Sequence, residues 1–182
     1  MQQTDDGGYI ITGASSMSYQ TNEMDVLLIK TDENGDTLWA KTYGGEKSEE
    51  GKSGQQTSDG GYIAVGAISF DRSTYLIKTN ANGDTLWTRI YDEGIGYSVL
   101  QTSDGGYIIA GYTTSYGTGD DDIFILKTDL DGNILWTSTC GGANYDNGRS
   151  IIETSDGAYI IVGTTESFGS GGYDVYLVKF RQ

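Results

Sequence analysis

A ten-residue phrase, Lys30 to Trp39 (KTDENGDTLW), comes back as Lys78 to Trp87 (KTNANGDTLW) and as Lys127 to Trp136 (KTDLDGNILW), and its lysine returns once more at Lys179. The tryptophans stand 48 and 49 residues apart, the lysines 48, 49 and 52. A period of this size belongs to repeat architectures, in which each unit buries its apolar faces against its neighbours. The 182 residues then divide into four units, 1–45, 46–93, 94–142 and 143–182, forming one array.

Each unit breaks into four short segments bounded by turn signals, as a small antiparallel sheet would. The first segment is Gly96 to Thr102 (GYSVLQT) or Gly148 to Thr154 (GRSIIET); Gly51 to Thr57 (GKSGQQT) is more polar, and Met1 to Thr4 is a clipped version. Asp-Gly turns at Asp6-Gly7, Asp59-Gly60, Asp104-Gly105 and Asp156-Gly157 lead into GYIITG, GYIAVG, GYIIAG and AYIIVG. Asp-Gly between strand-like runs is a strong hairpin signal. The closing glycines Gly13, Gly66, Gly111 and Gly163 mark a bulge or a close neighbouring backbone. The third segments, DVLLIK, STYLIK, DIFILK and DVYLVK, are apolar throughout, which predicts strands buried on both faces. Asn34-Gly35, Asn82-Gly83 and Asp131-Gly132 then turn the chain into DTLWAKTY, DTLWTRIY and NILWTSTC, where adjacent Leu and Trp face opposite sides.

No window carries helical apolar spacing, and the links between units are too short for a crossover helix. Four antiparallel strands followed by a short link to the next four describe a propeller blade. The expected fold is therefore all-β: a β-propeller of four antiparallel blades of about 48 residues. After Lys179 only Phe180, Arg181 and Gln182 follow, so the last blade should lack its outer strand. Frayed edges of this kind invite pairing with another chain.

Composition narrows the function. A formal charge of −15 argues against nucleic acid, whose binding needs clustered Lys and Arg. There is no histidine, which removes the commonest general base, the usual metal ligand and the His-containing triads. The single cysteine, Cys140, stands where Tyr43 stands in the first unit and reads as a packing residue. Apolar runs are strand-sized, so no membrane insertion is expected.

The phrase TSDGGYIIAG, followed after a loop by DIFILKTDLDGNILW and a Gly-Gly, resembles the β-propeller repeats of bacterial and archaeal secreted and cell-surface proteins. Its Asp-Gly-Trp part is similar to quinoprotein-type propellers, in which a tryptophan near the end of the outer strand docks blade on blade. The resemblance implies that role for Trp39, Trp87 and Trp136, and an extracellular or cell-surface location. It implies no particular activity, and no residues specify a quinone.

Several constellations remain. Asp32, Asn34 and Asp36 resemble the start of an EF-hand loop, but Leu38 and Trp39 begin a strand where further ligands would be needed, so the hairpin reading is preferred. The links between second and third segments carry Met17 and Tyr19, Tyr116, and Phe168 and Tyr173, with Asp120 and Asp121, an aromatic and acidic composition that suits sugar binding or plain solvated loops. Asp120, Asp121 and Asp122 are a weak calcium candidate; no other cofactor is expected. Glu49, Glu50, Asp92, Glu93 and Asp146 supply carboxylates for glycosidase chemistry, yet no spacing singles out a pair. Lys52, Tyr97 and Arg149 share one place before the first strand and could ring a channel mouth or form ordinary ion pairs. These readings favour a non-catalytic extracellular binding and assembly module whose partner is itself, with a lectin-like carbohydrate binder as the alternative.

Overall fold

The computed structural model describes residues 1–16 and 23–181. The chain divides into two compact units, Met1–Asp92 and Glu93–Gln182. All described secondary structure is β, and within every sheet the strands pair antiparallel in chain order. In the first unit, β1 (Gln2–Gln3), β2 (Tyr9–Ser16), β3 (Met24–Thr31) and β4 (Thr37–Tyr43) form one sheet, and β5 (Glu49–Gln56), β6 (Tyr62–Ile68), β7 (Ser73–Thr79) and β8 (Thr85–Tyr91) another. In the second unit, β9 (Ile95–Gln101), β10 (Tyr107–Thr113), β11 (Asp122–Thr128) and β12 (Ile134–Cys140) form a sheet of four, and β13 (Asp146–Glu153), β14 (Tyr159–Thr165) and β15 (Asp174–Phe180) a sheet of three.

The Asp-Gly and Asn-Gly signals become turns of one kind. Gly60 N–H donates to Thr57 O at 2.8 Å and Thr57 N–H to Gly61 O at 2.9 Å, and the same pair of bonds recurs at Thr4, Thr102 and Thr154. Only the glycine takes positive φ, 78° at Gly60 and 89° at Gly35. The turns are thus not the two-residue form, in which both central residues would do so. In the second family, Asp32 Oδ1 accepts from the N–H groups of Asn34 and Asp36, both at 2.9 Å, and Asn80 and Asp129 serve the corresponding turns. Asp32 is thereby committed to holding its own hairpin.

Each repeated lysine closes a pin within its own sheet. Lys78, buried on β7, reaches Asp59 in the β5–β6 turn at 2.8 Å and donates to Thr79 O at 2.9 Å. Lys30 with Asp6 and Lys127 with Asp104 repeat the arrangement, each at 2.9 Å. Thr57 Oγ1 and Gly61 N–H complete the set around Asp59. Burial works against ionised Asp59 and Asp104, but these donors outweigh it and hold both carboxyls at about 2. Lys30 leads the donors that bring Asp6 to the same value.

The bulge expected at the closing glycines is present in three sheets. The register slips opposite Gly66, Gly111 and Gly163, and the residues squeezed out of β5, β9 and β13 are Lys52, Tyr97 and Arg149. Their common place is therefore within the first strand rather than before it, as the extra residue of a β-bulge. Lys52 pairs with Glu50 at 2.8 Å, while Arg149 lies 4.4 Å over the Tyr97 ring.

Sheets stack through repeated faces. In the first unit, Ile10, Val26 and Leu28 pack on Tyr62, Ala64 and Ile77 of the following sheet. In the second, Ile108, Ala110, Ile123 and Ile125 pack on Ile151, Tyr159 and Ile161. Burying each such side chain contributes roughly 1.5–3 kcal/mol. Trp39 extends the first interface, meeting Tyr62 edge-on with centroids 5.6 Å apart, and Tyr43 Oη donates to Gly83 O at 2.6 Å. Trp136 packs at the second interface against Phe180, the rings tilted by 37° with centroids 5.4 Å apart. Trp87 carries the Arg89 guanidinium 5.3 Å from its ring.

Burial on both faces holds for β7 and β11 but not for every third strand. β15 alternates along its length, as does most of β3. On β14 and β15, Ile160, Val162, Val175 and Leu177 occupy the places of Ile108, Ala110, Ile123 and Ile125, yet Val175 is 80% and Leu177 62% exposed. The opposite face of the first sheet, with Ile11, Leu27 and Ile29, is only half-buried.

Candidate functional site

Strands β11 and β13 of the second unit both begin with an aspartate, and antiparallel chain-order pairing puts the loops 114–121, 141–145 and 166–173 at that same end. Backbone bonds tie the three together: Asp146 N–H donates to Asp121 O at 2.7 Å, and Glu166 N–H to Tyr145 O at 2.8 Å. Side chains add to the knot. Thr118 Oγ1 donates to Gly142 O at 3.0 Å, Asn144 Nδ2 to Glu166 O at 3.2 Å, and Ser167 Oγ accepts from Asn144 N–H at 2.9 Å.

Beneath the loops lie two buried carboxylates, Asp122 at 2% exposure and Asp146 at 0%. Asp122 Oδ2 accepts from Thr118 N–H at 2.9 Å and Gly119 N–H at 3.2 Å. Asp146 Oδ2 accepts from Gly142 N–H at 2.7 Å and Ser167 Oγ at 2.6 Å. The two acids flank Gly141: a Cβ there would fall 2.8 Å from Asp146 Oδ2 and closer still to Asp122 Oδ1. Asp146 Oδ1 is buried with no hydrogen-bond partner among the described residues. Beside them the half-buried Cys140 thiol is pushed up to about 11, first by burial and then by the two carboxylates, so it is held protonated and is no nucleophile.

The first unit contains the same device. A Cβ at Gly44 would fall 2.8 Å from Glu49 Oε2 and closer to Asp25 Oδ1. Glu49 is buried, and desolvation, with Asp25 adding to it, raises its pKa although Gly45 N–H donates to it. At the equivalent place on β7 stands Ser73, whose Oγ donates to Asp92 at 2.8 Å, while Gly94 replaces the second acid. Three of the five linker carboxylates, Glu49, Asp92 and Asp146, thus lie against the starts of third strands. The signal was in the sequence: Asp25 to Glu49 and Asp122 to Asp146 are both 24 residues.

The loop residues singled out for ligand binding fall into two groups. Tyr173 hydrogen-bonds Glu166, which raises the phenol pKa, with Tyr145 and Asp121 also acting on it. Phe168 tilts against Tyr176 with centroids 5.2 Å apart. Tyr145, Phe168 and Tyr173 are all exposed, so this end presents three rings among acidic groups. Tyr116, on the loop 114–121 at this end, lines an open cleft of ≈ 280 Å³ with Glu93, Phe124, Thr137, Ser138 and Thr139. Asp120 is exposed, whereas Asp122 is turned into the fold. Among the described residues no three carboxylate, thiol or imidazole side chains converge, so Asp120, Asp121 and Asp122 do not form one cage. Met17 and Tyr19 lie outside the described residues.

No protein-family model matches the chain, and no curated protein does. Among solved structures it is similar to a protein of unknown function from Bacteroides caccae, with TM-score 0.55 and 14% identity over 87% of this chain. It is also similar to a GH43 β-1,3-galactosidase, with TM-score 0.49 and 13% identity over 85% of this chain. The chain spans 54% of the first neighbour and 36% of the second. At these identities the likeness is one of fold.

Proposed function

We propose that the chain is a set of β-propeller blades acting as a non-catalytic assembly module, whose partner is a second copy of itself. The observation that carries this reading is the uncovered face of β14 and β15. Ile160, Val162, Val175 and Leu177 hold the places that receive the next sheet elsewhere in the repeat, and Val175 and Leu177 are 80% and 62% exposed. The half-buried face of the first sheet, with Ile11, Leu27 and Ile29, is its repeat-wise complement. A contact between two different faces of one chain is heterologous, and it builds a ring or an open series. The non-catalytic part is supported by the Asp122–Asp146 pair, which lies buried beneath the loops 114–121, 141–145 and 166–173. An extracellular or cell-surface location belongs to this reading and rests on the likeness of the repeat to secreted propellers.

Light scattering across a concentration series tests the proposal. The native mass should exceed the 19.6 kDa of one chain, and Leu177→Glu should return it to that value with the circular dichroism unchanged. A single-chain mass at every concentration would sink the reading. The three exposed rings beside Asp121 and Glu166 favour a lectin-like second reading. Under it, Phe168→Ala and Tyr173→Ala abolish retention on glycan columns; under assembly they leave the mass unchanged.

A further inference from the structure

We propose that the two acid pairs, Asp122 with Asp146 and Asp25 with Glu49, are each a binding site for a calcium ion. Three observations carry the inference. First, in both pairs the carboxylates flank one glycine, Gly141 or Gly44, at the start of a third strand, and in the first of them both acids are at most 2% exposed. Two carboxylates withdrawn from water in one place carry a heavy desolvation cost unless a positive charge joins them. Among the described residues no lysine or arginine is paired with Asp122 or Asp146, whereas Asp104 and Asp156 do have such partners.

Second, Asp146 Oδ1 is fully buried and has no hydrogen-bond partner among the described residues, while its companion Oδ2 accepts two bonds and Asp122 Oδ2 two more. A buried carboxylate oxygen without a donor calls for a partner, and a cation is the one that also offsets the paired charges. Third, the acids come and go together. Where the repeat holds Ser73 instead of Asp25 or Asp122, it also holds Gly94 instead of Glu49 or Asp146. Residues that serve a common ion are kept or lost jointly.

The donor set selects the ion. Carboxylate oxygens, with no histidine in the chain, suit a hard cation, and calcium accepts few side-chain ligands with carbonyls and water completing its shell. The site differs from the Asp120–Asp121–Asp122 run, since only Asp122 is shared and the second ligand comes from another strand.

Calorimetric titration of chelator-treated protein with calcium chloride, with a thermal melt at each end point, tests this. Saturable uptake of two ions per chain is expected, with a rise in Tm of roughly 5 °C or more at saturation. The double substitution Asp122→Ser, Asp146→Gly copies the residues the repeat itself uses at positions 73 and 94, and should bind one ion per chain. The twin variant Asp25→Ser, Glu49→Gly should do the same. Absence of saturable uptake by the unmodified protein overturns the proposal whatever the variants do. So does a melt raised by acid and indifferent to calcium, which would mean that the pairs share a proton. Unchanged stoichiometry in a folded double variant overturns it as well.

Discussion

Alanine at position 111 should destabilise the protein by roughly 3 kcal/mol or more, at the upper end of what overpacking does, while alanine at position 13 should be neutral or slightly favourable. The two glycines are repeat equivalents, so the difference lies in what stands opposite. A Cβ on Gly111 would fall 2.8 Å from the carbonyl carbon of Ile95, nearer still to its oxygen, and 3.0 Å from Gly96 Cα. All three atoms are backbone of the bulged β9, and none can move without unmaking the β9–β10 ladder. A Cβ on Gly13 meets none of the described residues within 4 Å, because the two-residue β1 pairs only with Tyr9 and Ile10. Urea unfolding of the two variants decides the matter. Equal costs would show that the bulge is not what fixes these glycines.

The second large effect is an asymmetry within one ion pair. Asp59→Asn should cost roughly 2–3 kcal/mol, whereas Lys78→Met should cost under about 1. Removing the carboxylate charge strands an ammonium that is buried on β7, with Thr79 O and one amide oxygen in place of its counter-ion. Removing the ammonium leaves a half-exposed carboxylate that still accepts from Thr57 Oγ1 and Gly61 N–H and is reached by water. Methionine fills most of the lysine's apolar volume. The pH dependence follows from the same geometry. The folded state favours ionised Asp59, so the pin is fully effective above the ordinary carboxyl value of 3.8 and is lost as pH falls toward 2. Lys78→Met should therefore melt with a shallower acid limb than the unmodified protein. Parallel limbs, or equal costs at neutral pH, would contradict the pin.

Much of this fold was legible because the repeat states each rule several times. The turn glycines, the apolar runs of the second strands and the tryptophan of the fourth each recur at one offset, and each sits on the expected strand or turn. The lysine pin was half visible. Lys78 and Asp-Gly were both seen as repeated, but joining them needs the register in which Lys78 faces Ile63, two residues past the turn. The exposed face of β15 was not visible at all. DVYLVK is as apolar as DIFILK, and whether such a strand is covered depends on the sheet beside it, which no residue of its own encodes. Tyr116 and Phe168 are repeat equivalents on loops of equal length, and each stands by the aromatic ring of its own third strand, Phe124 or Tyr176. The acid pairs were missed because linkers were searched against one another, while Glu49 and Asp146 lie against the starts of third strands.

Strand order equals chain order in all four sheets, so every ladder closes between neighbours over short turns. Loop-closure entropy is small at each step, and the chain need not search for distant partners. A nascent chain emerging from the ribosome can finish one sheet before the next is synthesised, offering it a ready apolar face as a template. Folding is then vectorial, and a defect in one sheet of a unit delays the sheet that follows it while leaving the one before it intact.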